Sequence, residues 1–416
     1  MPQTQATSRA ADAQQIVDAA IAHAAQNGLH SLTMRELAQG VGRSTTVIVN
    51  LFGSKAGLIQ AVGEEALRRD EDFHTRFFGS VAGLPLTRDN LLTLVRQYLR
   101  SRVSDDAGYS RIWEALLIDT EVAIKRHGLI QRWDAMRKTA WRIYLSADPR
   151  LERFAALLVD WTTIEQFYAG ALQGRADYEV IAAEGLGGLI DRALDQAEGP
   201  ATATFWYREH LVLPQAPATG HEPGSMRVRL LDIAADQILA RGVTALTNRS
   251  VSAVAGTSTS TIAYHWPHMR CFVLDAVWHG VFRDMPRYLA GHRPQGDPTA
   301  VDLDSWARIM TPTVSIQRDA EGFYVRYVRL IASVCMEARR DPSLSDLAML
   351  MRGPEGGGTY YNSAGVWPVD FDLSRLAATR FALWIKAAAL LACATGTPLS
   401  STDLQTAARQ LVSHRT

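Results

Sequence analysis

The chain has 416 residues, 47% of them hydrophobic, and equal numbers of acidic and basic side chains, so its formal net charge is zero. This length predicts two or more domains with buried cores, and neutrality excludes a protein that binds any duplex through bulk positive charge. Three cysteines without CxxC spacing argue against disulfides and zinc. We expect a cytoplasmic protein, because residues 1–11 are polar and no apolar run reaches about 18 residues.

The predicted elements are helical almost throughout, because apolar residues recur at three- and four-residue spacing. A first helix is predicted over about residues 11–26. Thr33 and Glu36 have the spacing of a capping box and open a short second helix. Ser44 caps the next short helix, and Ser54 begins a long one.

An internal repeat organises the chain. Residues 16–52 recur without a gap as residues 230–266, at an offset close to half the chain, which predicts a duplicated unit. The identical pairs are Asp18/Asp232, Ala20/Ala234, Gly28/Gly242, Leu32/Leu246, Thr33/Thr247, Arg35/Arg249, Gly42/Gly256, Ser44/Ser258, Thr45/Thr259 and Ile48/Ile262.

The repeated segment has the layout of a helix-turn-helix. Leu37, Ala38, Val41, Ile48 and Phe52 are placed to fix the angle between the two short helices. The other face of the second helix is then free to enter a major groove. Core helical hairpins can mimic this pattern, but two copies in one register make such a coincidence much less frequent.

The segment resembles the DNA-binding domain of the TetR family of bacterial transcriptional regulators. In the first copy the matching residues are Ile16-Val17-Asp18-Ala19-Ala20, Gly28, Thr33, Leu37-Ala38, Gly42, Ser44, Phe52 and Ser54-Lys55. In the second they are Leu231-Asp232, Ala234-Ala235, Gly242, Thr247, Gly256, Ser258, Ile262 and Tyr264-His265-Trp266. The resemblance implies an all-α fold of two TetR-like units, each with a reading head and a helical ligand-binding and dimerisation body, packed as an intramolecular pseudodimer.

Both copies depart from the family pattern. Val49 and Ala263 stand where a tyrosine commonly contacts the DNA backbone. The second copy has residues 267–269, Pro-His-Met, where the first copy has Gly53-Ser54-Lys55. It therefore lacks the phosphate-contacting lysine of the family pattern, and Arg270 is the candidate substitute. Either both heads bind different half-sites, or one head no longer binds DNA.

Candidate DNA-contacting residues follow from the pattern and the resemblance. Val47 suits a thymine methyl and Asn50 an adenine, whereas Thr261 and Tyr264 offer hydroxyls, which predicts non-identical half-sites. Asn50 and Tyr264 are alternatively simple exposed helix residues. The full set is Thr33, Arg43, Ser44, Thr45, Thr46, Val47, Asn50 and Lys55, with Thr247, Thr257, Ser258, Thr259, Ser260, Thr261, Tyr264, His265 and Arg270.

The predicted domains alternate heads with bodies. They are head 1 over 1–60, body 1 over 61–213, a proline- and glycine-rich linker over 214–224, head 2 over 225–273 and body 2 over 274–416. Each body ends in a long helix with an apolar stripe, near 151–172 and 373–395, which suits a four-helix bundle as well as a simple core.

Large aromatic residues in both bodies have two interpretations. They line an apolar effector pocket or, the favoured alternative, they pack between long helices. The residues are Trp113, Trp133, Trp141, Trp161 and Tyr168, with Phe323, Tyr327 and Trp384 in the second body. The glycine-rich segment 352–358 lacks the Lys-Ser/Thr ending of a phosphate loop and is predicted to be a mobile loop.

The sequence therefore predicts a ligand-responsive repressor that binds operator DNA and a small-molecule effector, with no membrane, metal or cofactor. No GxSxG, HExxH or nucleotide-binding motif occurs, so an enzyme is not expected. The alternative is a helical ligand-binding or protein-interaction module whose heads no longer bind DNA. A monomer of 45.8 kDa would fit one pseudodimer, whereas a dimer would carry four heads.

Overall fold

The computed structural model describes residues 2–118, 126–212, 215–243, 246–291, 301–361, 363 and 366–414. In this part of the chain the fold is all-α, as predicted, and the one β pairing joins two-residue strands, β1 (Phe371–Asp372) and β2 (Ser413–His414), in antiparallel register. Side chains of residues 2–8, 30, 284–291 and 318 are likewise outside the description.

Ten helices are described before residue 213. They are α1 (Pro2–Asn27), α2 (Met34–Gly40), α3 (Thr45–Phe52), α4 (Lys55–Gly79), α5 (Arg88–Val103), α6 (Gly108–Ile118), α7 (His127–Leu145), α8 (Pro149–Leu172), α9 (Ala176–Ala193) and α10 (Thr202–His210). The predicted short helices are therefore present, and α1 begins nine residues before its predicted start near residue 11.

A further ten are described after residue 214. They are α11 (Met226–Arg241), α12 (Asn248–Ala255), α13 (Thr259–His265), α14 (Met269–Gly291), α15 (Leu303–Met310), α16 (Phe323–Ala338), α17 (Ser345–Arg352), α18 (Gly357–Tyr361), α19 (Arg375–Thr395) and α20 (Ser401–Leu411). Residues 215–224 of the predicted linker contain turns and no helix. Pro214, the first residue of the linker, lies outside the described residues.

The chain folds into two compact units. The first comprises residues 1–156 with 394–396, and the second comprises residues 157–393 with 397–416. The boundary thus falls inside α8 and not at the linker, because the last helices before residue 213 pack with helices that follow residue 340.

A buried charged cluster lies in the first unit. Asp70 of α4 and Arg102 of α5 are both fully buried and form an ion pair, and Trp133 Nε1 donates to Asp70 Oδ2 at 2.6 Å. His74 Nδ1 donates to the Asp70 carbonyl oxygen at 2.7 Å, and Nε2 lies 3.0 Å from the Tyr98 hydroxyl. Burial alone would raise the pKa of Asp70, but Arg102 and His74 hold that pKa below its usual range.

Buried arginines connect the helices of the second unit. Arg380 of α19 donates to the Gly188 carbonyl of α9 at 3.0 Å and to the Leu411 carbonyl of α20 at 2.8 Å. Arg352 Nε lies 3.1 Å from Glu165 Oε1, and both side chains are fully buried. These contacts place α8 and α9 against α17, α19 and α20 within this unit.

Helix α19 is the most apolar long helix among those described. Its length and composition would allow it to cross a membrane, but 94% of its most apolar 18-residue stretch is buried inside the protein. Helices α3 and α4 taken together are also long and apolar enough to cross a membrane, but the chain bends by 68° between them. The burial of α19 is that of a core helix.

Most of the glycine-rich segment 352–358 is close-packed, with residues 352, 353, 355 and 356 buried and Gly358 exposed, which does not fit the predicted mobile loop. Gly356 has φ +77°, and a Cβ there would lie 2.6 Å from the Thr379 Cα. Glu355 is 5% exposed and pairs with the buried Lys386. The glycines permit this close backbone approach, a requirement that composition alone does not reveal.

We expect Asp70→Asn to lower the free energy of unfolding by about 3–5 kcal/mol, because it leaves the Arg102 guanidinium buried without its counter-charge. Urea denaturation measures this, and Asp72→Asn, which removes an exposed pair with Arg68, should change it by less than about 1 kcal/mol.

The same pair predicts a pH dependence. Because the folded-state pKa of Asp70 is lowered, its contribution is complete above the unfolded pKa of about 3.9 and is lost as pH falls below it. The stability difference between wild type and Asp70→Asn should therefore shrink below about pH 4. A difference that is independent of pH would contradict this assignment.

Candidate nucleic-acid interface

The first head consists of α1 to α3 and the start of α4. Leu37 and Ala38 of α2 and Ile48 of α3 are buried, as the helix-turn-helix pattern predicted. Val41 and Phe52 are half-buried. Helix α3 turns its other face to solvent, where Ser44, Thr45, Thr46, Val49 and Asn50 are exposed and Val47 is half-buried. The fold thus leaves the predicted recognition surface accessible.

Capping differs at the two short helices of this head. Thr33 Oγ1 accepts from the Glu36 amide at 3.2 Å and donates to the Glu36 carboxylate at 2.7 Å. Glu36 therefore bonds the Thr33 hydroxyl and not its backbone amide, so the predicted reciprocal box is only half formed. Ser44 occupies the N-cap of α3 but its side chain makes no capping hydrogen bond, so no side-chain cap competes with a phosphate for the amides in the first turn of α3.

Basic residues surround the recognition helix of the first head. Arg43 Nη2 lies 2.7 Å from Asp12 Oδ1 of α1, and Arg9 Nη2 donates to the Asn50 carbonyl oxygen at 3.0 Å. Lys55 is exposed at the first turn of α4, and Ser54 caps that helix. The Asn50 carbonyl is therefore engaged, while its side chain remains exposed.

The second head repeats this local geometry. Helices that begin at residues 34, 45 and 55 have counterparts that begin at 248, 259 and 269, the same offset as the sequence repeat. Gly28 and Gly242 have φ of 84° and 82°, and Gly42 and Gly256 have φ of 65° and 66°. The repeat preserves glycine at these positions because L side chains rarely adopt positive φ.

The structural repeat extends beyond the segment recognised in the sequence. Arg69 of α4 pairs with Asp18 of α1, and Arg283 Nη1 of α14 lies 3.5 Å from Asp232 Oδ1 of α11. The sequence pattern did not reveal these arginines, because few residues are identical in the two copies after position 52. The one available signal was the equal Asp-to-Arg spacing in the two copies.

The predicted contact residues of the second head are partly engaged with one another. Ser258, Thr259, Ser260 and Tyr264 are exposed, and Thr257, Thr261 and His265 are half-buried. Thr247 forms a complete capping box with Ser250. Ser258 Oγ lies 2.6 Å from Ser260 Oγ, and Thr257 Oγ1 lies 2.7 Å from Thr261 Oγ1.

Two predicted contact residues at the end of the second recognition helix and at the start of the next helix differ in their contacts. Arg270, predicted as the substitute for Lys55, donates to the Ser343 carbonyl oxygen at 2.6 Å. Tyr264 is 84% exposed, and Arg270 is exposed as well. Burial beside Arg227 lowers the pKa of His265, which favours its neutral form.

The heads differ in the turn that follows each recognition helix. In the first, Gly53 has φ +71°, and a Cβ on Gly57 would lie 2.0 Å from the Phe52 carbonyl oxygen. In the second, the aligned position to Gly57 is Cys271, and Trp266 is extended with φ −136°. A side chain at that position is incompatible with the turn of the first head.

Each head packs on a helix of its own unit. Helix α6 contacts α1 and α4 in the first unit, and α16 contacts α11 and α14 in the second. A movement of either body helix would therefore act directly on the two helices that carry a reading head.

A groove of about 1220 Å³ lies in the first unit between the end of α4, the loop after it, and α7. Its wall is largely apolar, with Phe78, Leu84, Met136, Ile143 and Tyr144 among the lining residues. The Phe78 and Tyr144 rings stack at 4.6 Å. Local sequence patterns did not predict this groove, because its walls come from separate segments near residues 71–87 and 132–148.

None of the eight aromatic residues proposed from the sequence as ligand contacts lines this groove. Trp113, Trp133, Trp141, Trp161, Tyr168 and Trp384 are buried, and Phe323 and Tyr327 are half-buried and stacked on each other. Their packing fits the alternative of a helical core, and their role in ligand binding stays a prediction. Among the described residues, no group of three or more His, Cys, Asp or Glu side chains could hold a metal ion.

Comparison with known families identifies the first head. Residues 16–62 match the family model of the bacterial regulatory proteins of the tetR family. The match runs from α1 into the first half of α4, so this segment is a TetR-type DNA-binding domain and supports a transcriptional regulator of that type. No curated protein matches the chain.

We expect Gly57→Ala to destabilise the first head by about 1–3 kcal/mol, because its Cβ would overlap the Phe52 carbonyl oxygen. Urea denaturation and DNA binding both report this. Gly40→Ala is the matched control, since a Cβ at Gly40 meets nothing within 4 Å and the helix should be unchanged or slightly more stable. Equal behaviour of the two variants would contradict the proposed turn constraint.

Proposed function

We propose that this chain, whose residues 16–62 form a TetR-type DNA-binding domain, is a ligand-responsive repressor that reads one operator with two different heads. The observation that carries the proposal is the second head, which has the same helix starts and the same positive-φ glycines at a constant offset. A single chain would then supply the two reading heads that such regulators otherwise obtain by dimerisation. We propose no catalytic activity, and we propose that the protein acts in the bacterial cytoplasm.

The pseudodimer part of the proposal is supported by contacts inside the second unit. There, α8 and α9 of the first half pack with α17, α19 and α20 of the second half through Arg380 and Arg352. Terminal helices of two bodies packed together would make further dimerisation unnecessary. We therefore expect one molecule of 45.8 kDa on one operator, and light scattering that gives twice this mass would favour four heads.

Non-identical half-sites follow from the exposed side chains. Helix α3 presents Thr46 and Asn50, whereas α13 presents Ser260 and Tyr264. Symmetry obliges a homodimer to read a palindrome, but two heads of different sequence in one chain are free of that constraint. An operator with dissimilar halves is therefore proposed.

Ligand response is supported by the course of α4. This helix begins at Lys55, beside the recognition helix, and ends at Gly79, where Phe78 forms part of the groove wall. A small apolar molecule in the groove would displace the end of α4 and, through it, the position of the head. A coupling of about 1–3 kcal/mol between the two sites is enough for a useful switch.

The proposal predicts the outcome of selecting duplexes from a random pool with the full-length protein at near-physiological salt. We expect a bipartite site with two dissimilar halves. One enriched half would mean that one head has lost DNA binding. No enrichment would overturn the proposal and favour a ligand-binding or protein-interaction module.

Two substitutions in the first head separate base reading from phosphate binding. Asn50→Ala should cost about 1–3 kcal/mol and relax specificity at one position of one half-site, because its exposed amide suits an adenine edge. Lys55→Ala should weaken binding to all DNA sequences equally. It should also reduce the slope of log affinity against log salt concentration by about the contribution of one phosphate contact. Titrations at several salt concentrations measure both effects. Identical specificity and salt dependence in the two variants would contradict these roles.

Blocking the groove tests the ligand response. Ala140 lines the groove, so Ala140→Trp should lower the affinity for an apolar fluorescent dye about tenfold or more and leave operator binding in its absence unchanged. Val180→Trp, at a position that is 55% exposed in the second unit, is the control. Equal dye binding in both variants would place the ligand site elsewhere.

A further inference from the structure

We propose that Arg227 is a positioning residue for the second recognition helix, α13, and that with Trp266 and Asp275 it sets the half-site specificity of the second head. This inference rests on the proposed DNA-binding function and deepens it. The three residues come from α11, from the turn after α13 and from α14, and we refer to them as the clamp. The structure joins them at the C-terminal end of the recognition helix.

The clamp is built from four directed contacts. Arg227 Nη2 lies 2.8 Å from Asp275 Oδ2, and Trp266 Nε1 donates to the same oxygen at 2.7 Å. The Arg227 guanidinium carbon stands 4.3 Å from the centroid of the Trp266 ring. Its Nη1 donates to the His265 carbonyl oxygen at 3.2 Å.

The His265 contact bears directly on the recognition helix. His265 is the last residue of α13, so its carbonyl is one of those left without a helical partner. A cation at this end also interacts favourably with the negative end of the helix dipole. Arg227 of α11 therefore contacts the backbone at the end of α13, the Trp266 ring and the Asp275 carboxylate of α14.

The first head lacks the tryptophan and the carboxylate of the clamp, although Arg9 of α1 donates to the Asn50 backbone carbonyl oxygen near the end of α3 at 3.0 Å. The aligned positions to Arg227, Trp266 and Asp275 are Ala13, Phe52 and Ala61. There, a left-handed Gly53, the Ser54 cap and the Gly57 contact define the turn. The second head cannot form that turn because Cys271 replaces Gly57, and the clamp supplies a different way of fixing the helix.

The clamp also explains how Tyr264 is presented. Trp266 is 4% exposed and anchored inside, whereas Tyr264, two residues earlier, is 84% exposed. Anchoring the Trp266 ring restrains the end of α13 that carries Tyr264, since Trp266 directly follows the last residue of that helix. Tyr264 would thus reach base edges or backbone from a defined position, although no charged side chain in the second head matches Lys55.

The test measures half-site specificity in the full-length protein. We expect Arg227→Ala to lower affinity about tenfold on the selected bipartite site, and to have no effect on a probe whose second half-site is scrambled. Arg227→Lys should recover part of the loss, because it retains the charge but not the fork that bridges carbonyl and carboxylate. Arg229→Ala, on the same helix but outside the clamp, should bind as wild type.

A double-mutant cycle with Tyr264→Ala distinguishes positioning from a general loss of stability. If Arg227 acts through α13, the two losses should not add, because both remove the same half-site contact. Hydrogen exchange should also become faster in residues 259–265 and stay unchanged in residues 45–52.

The outcomes are separable. Wild-type specificity in Arg227→Ala, or equal loss at both half-sites, would overturn the positioning role while leaving the proposed function intact. Failure of the wild-type protein to select any DNA would overturn the proposed function and this inference with it. A wild-type protein that selects only the first half-site would overturn the inference and the two-head part of the proposed function, and would leave a regulator that binds DNA through its first head.

Discussion

Each recognition helix has seven or eight residues, too few to be stable in water, so its position depends on one buried isoleucine and on a left-handed glycine before it. Ile48 and Ile262 are 0% and 1% exposed, in helices that also carry several exposed residues. Gly42 and Gly256 give the chain the turn that brings those side chains inward. The buried face and the turn together leave the outer face free for DNA.

The same constraint is met differently after each recognition helix. The first head uses backbone geometry, with positive φ at Gly53 and a close approach at Gly57. The second replaces these with side-chain contacts among Arg227, Trp266 and Asp275. Duplication followed by divergence of one turn is a physical route to two heads with a common scaffold and different surfaces. The exposed residues of α3 and α13 differ accordingly, which is the basis for proposing an asymmetric operator.

The bodies combine rigid and accessible regions. Buried ion pairs around Asp70 in the first unit and around Arg352 in the second specify which helices meet, since an unpaired buried charge is costly. The apolar groove opens at the far end of α4, the helix that also carries Lys55. A ligand there would act on a helix that is already coupled to the head, so the proposed response needs no additional moving part.

Sequence alone determined the all-α class, the repeat, the two short helices of each head and the exposed face of α3, because these follow from local spacing, caps and glycines. It did not determine the groove, the clamp or the buried ion pairs, which join segments far apart in the chain. It also placed the glycine-rich segment 352–358 in a mobile loop, whereas tertiary packing against Thr379 made it a close-packed turn. Local periodicity dictates which face of a helix is apolar, but only packing decides which distant side chain that face meets.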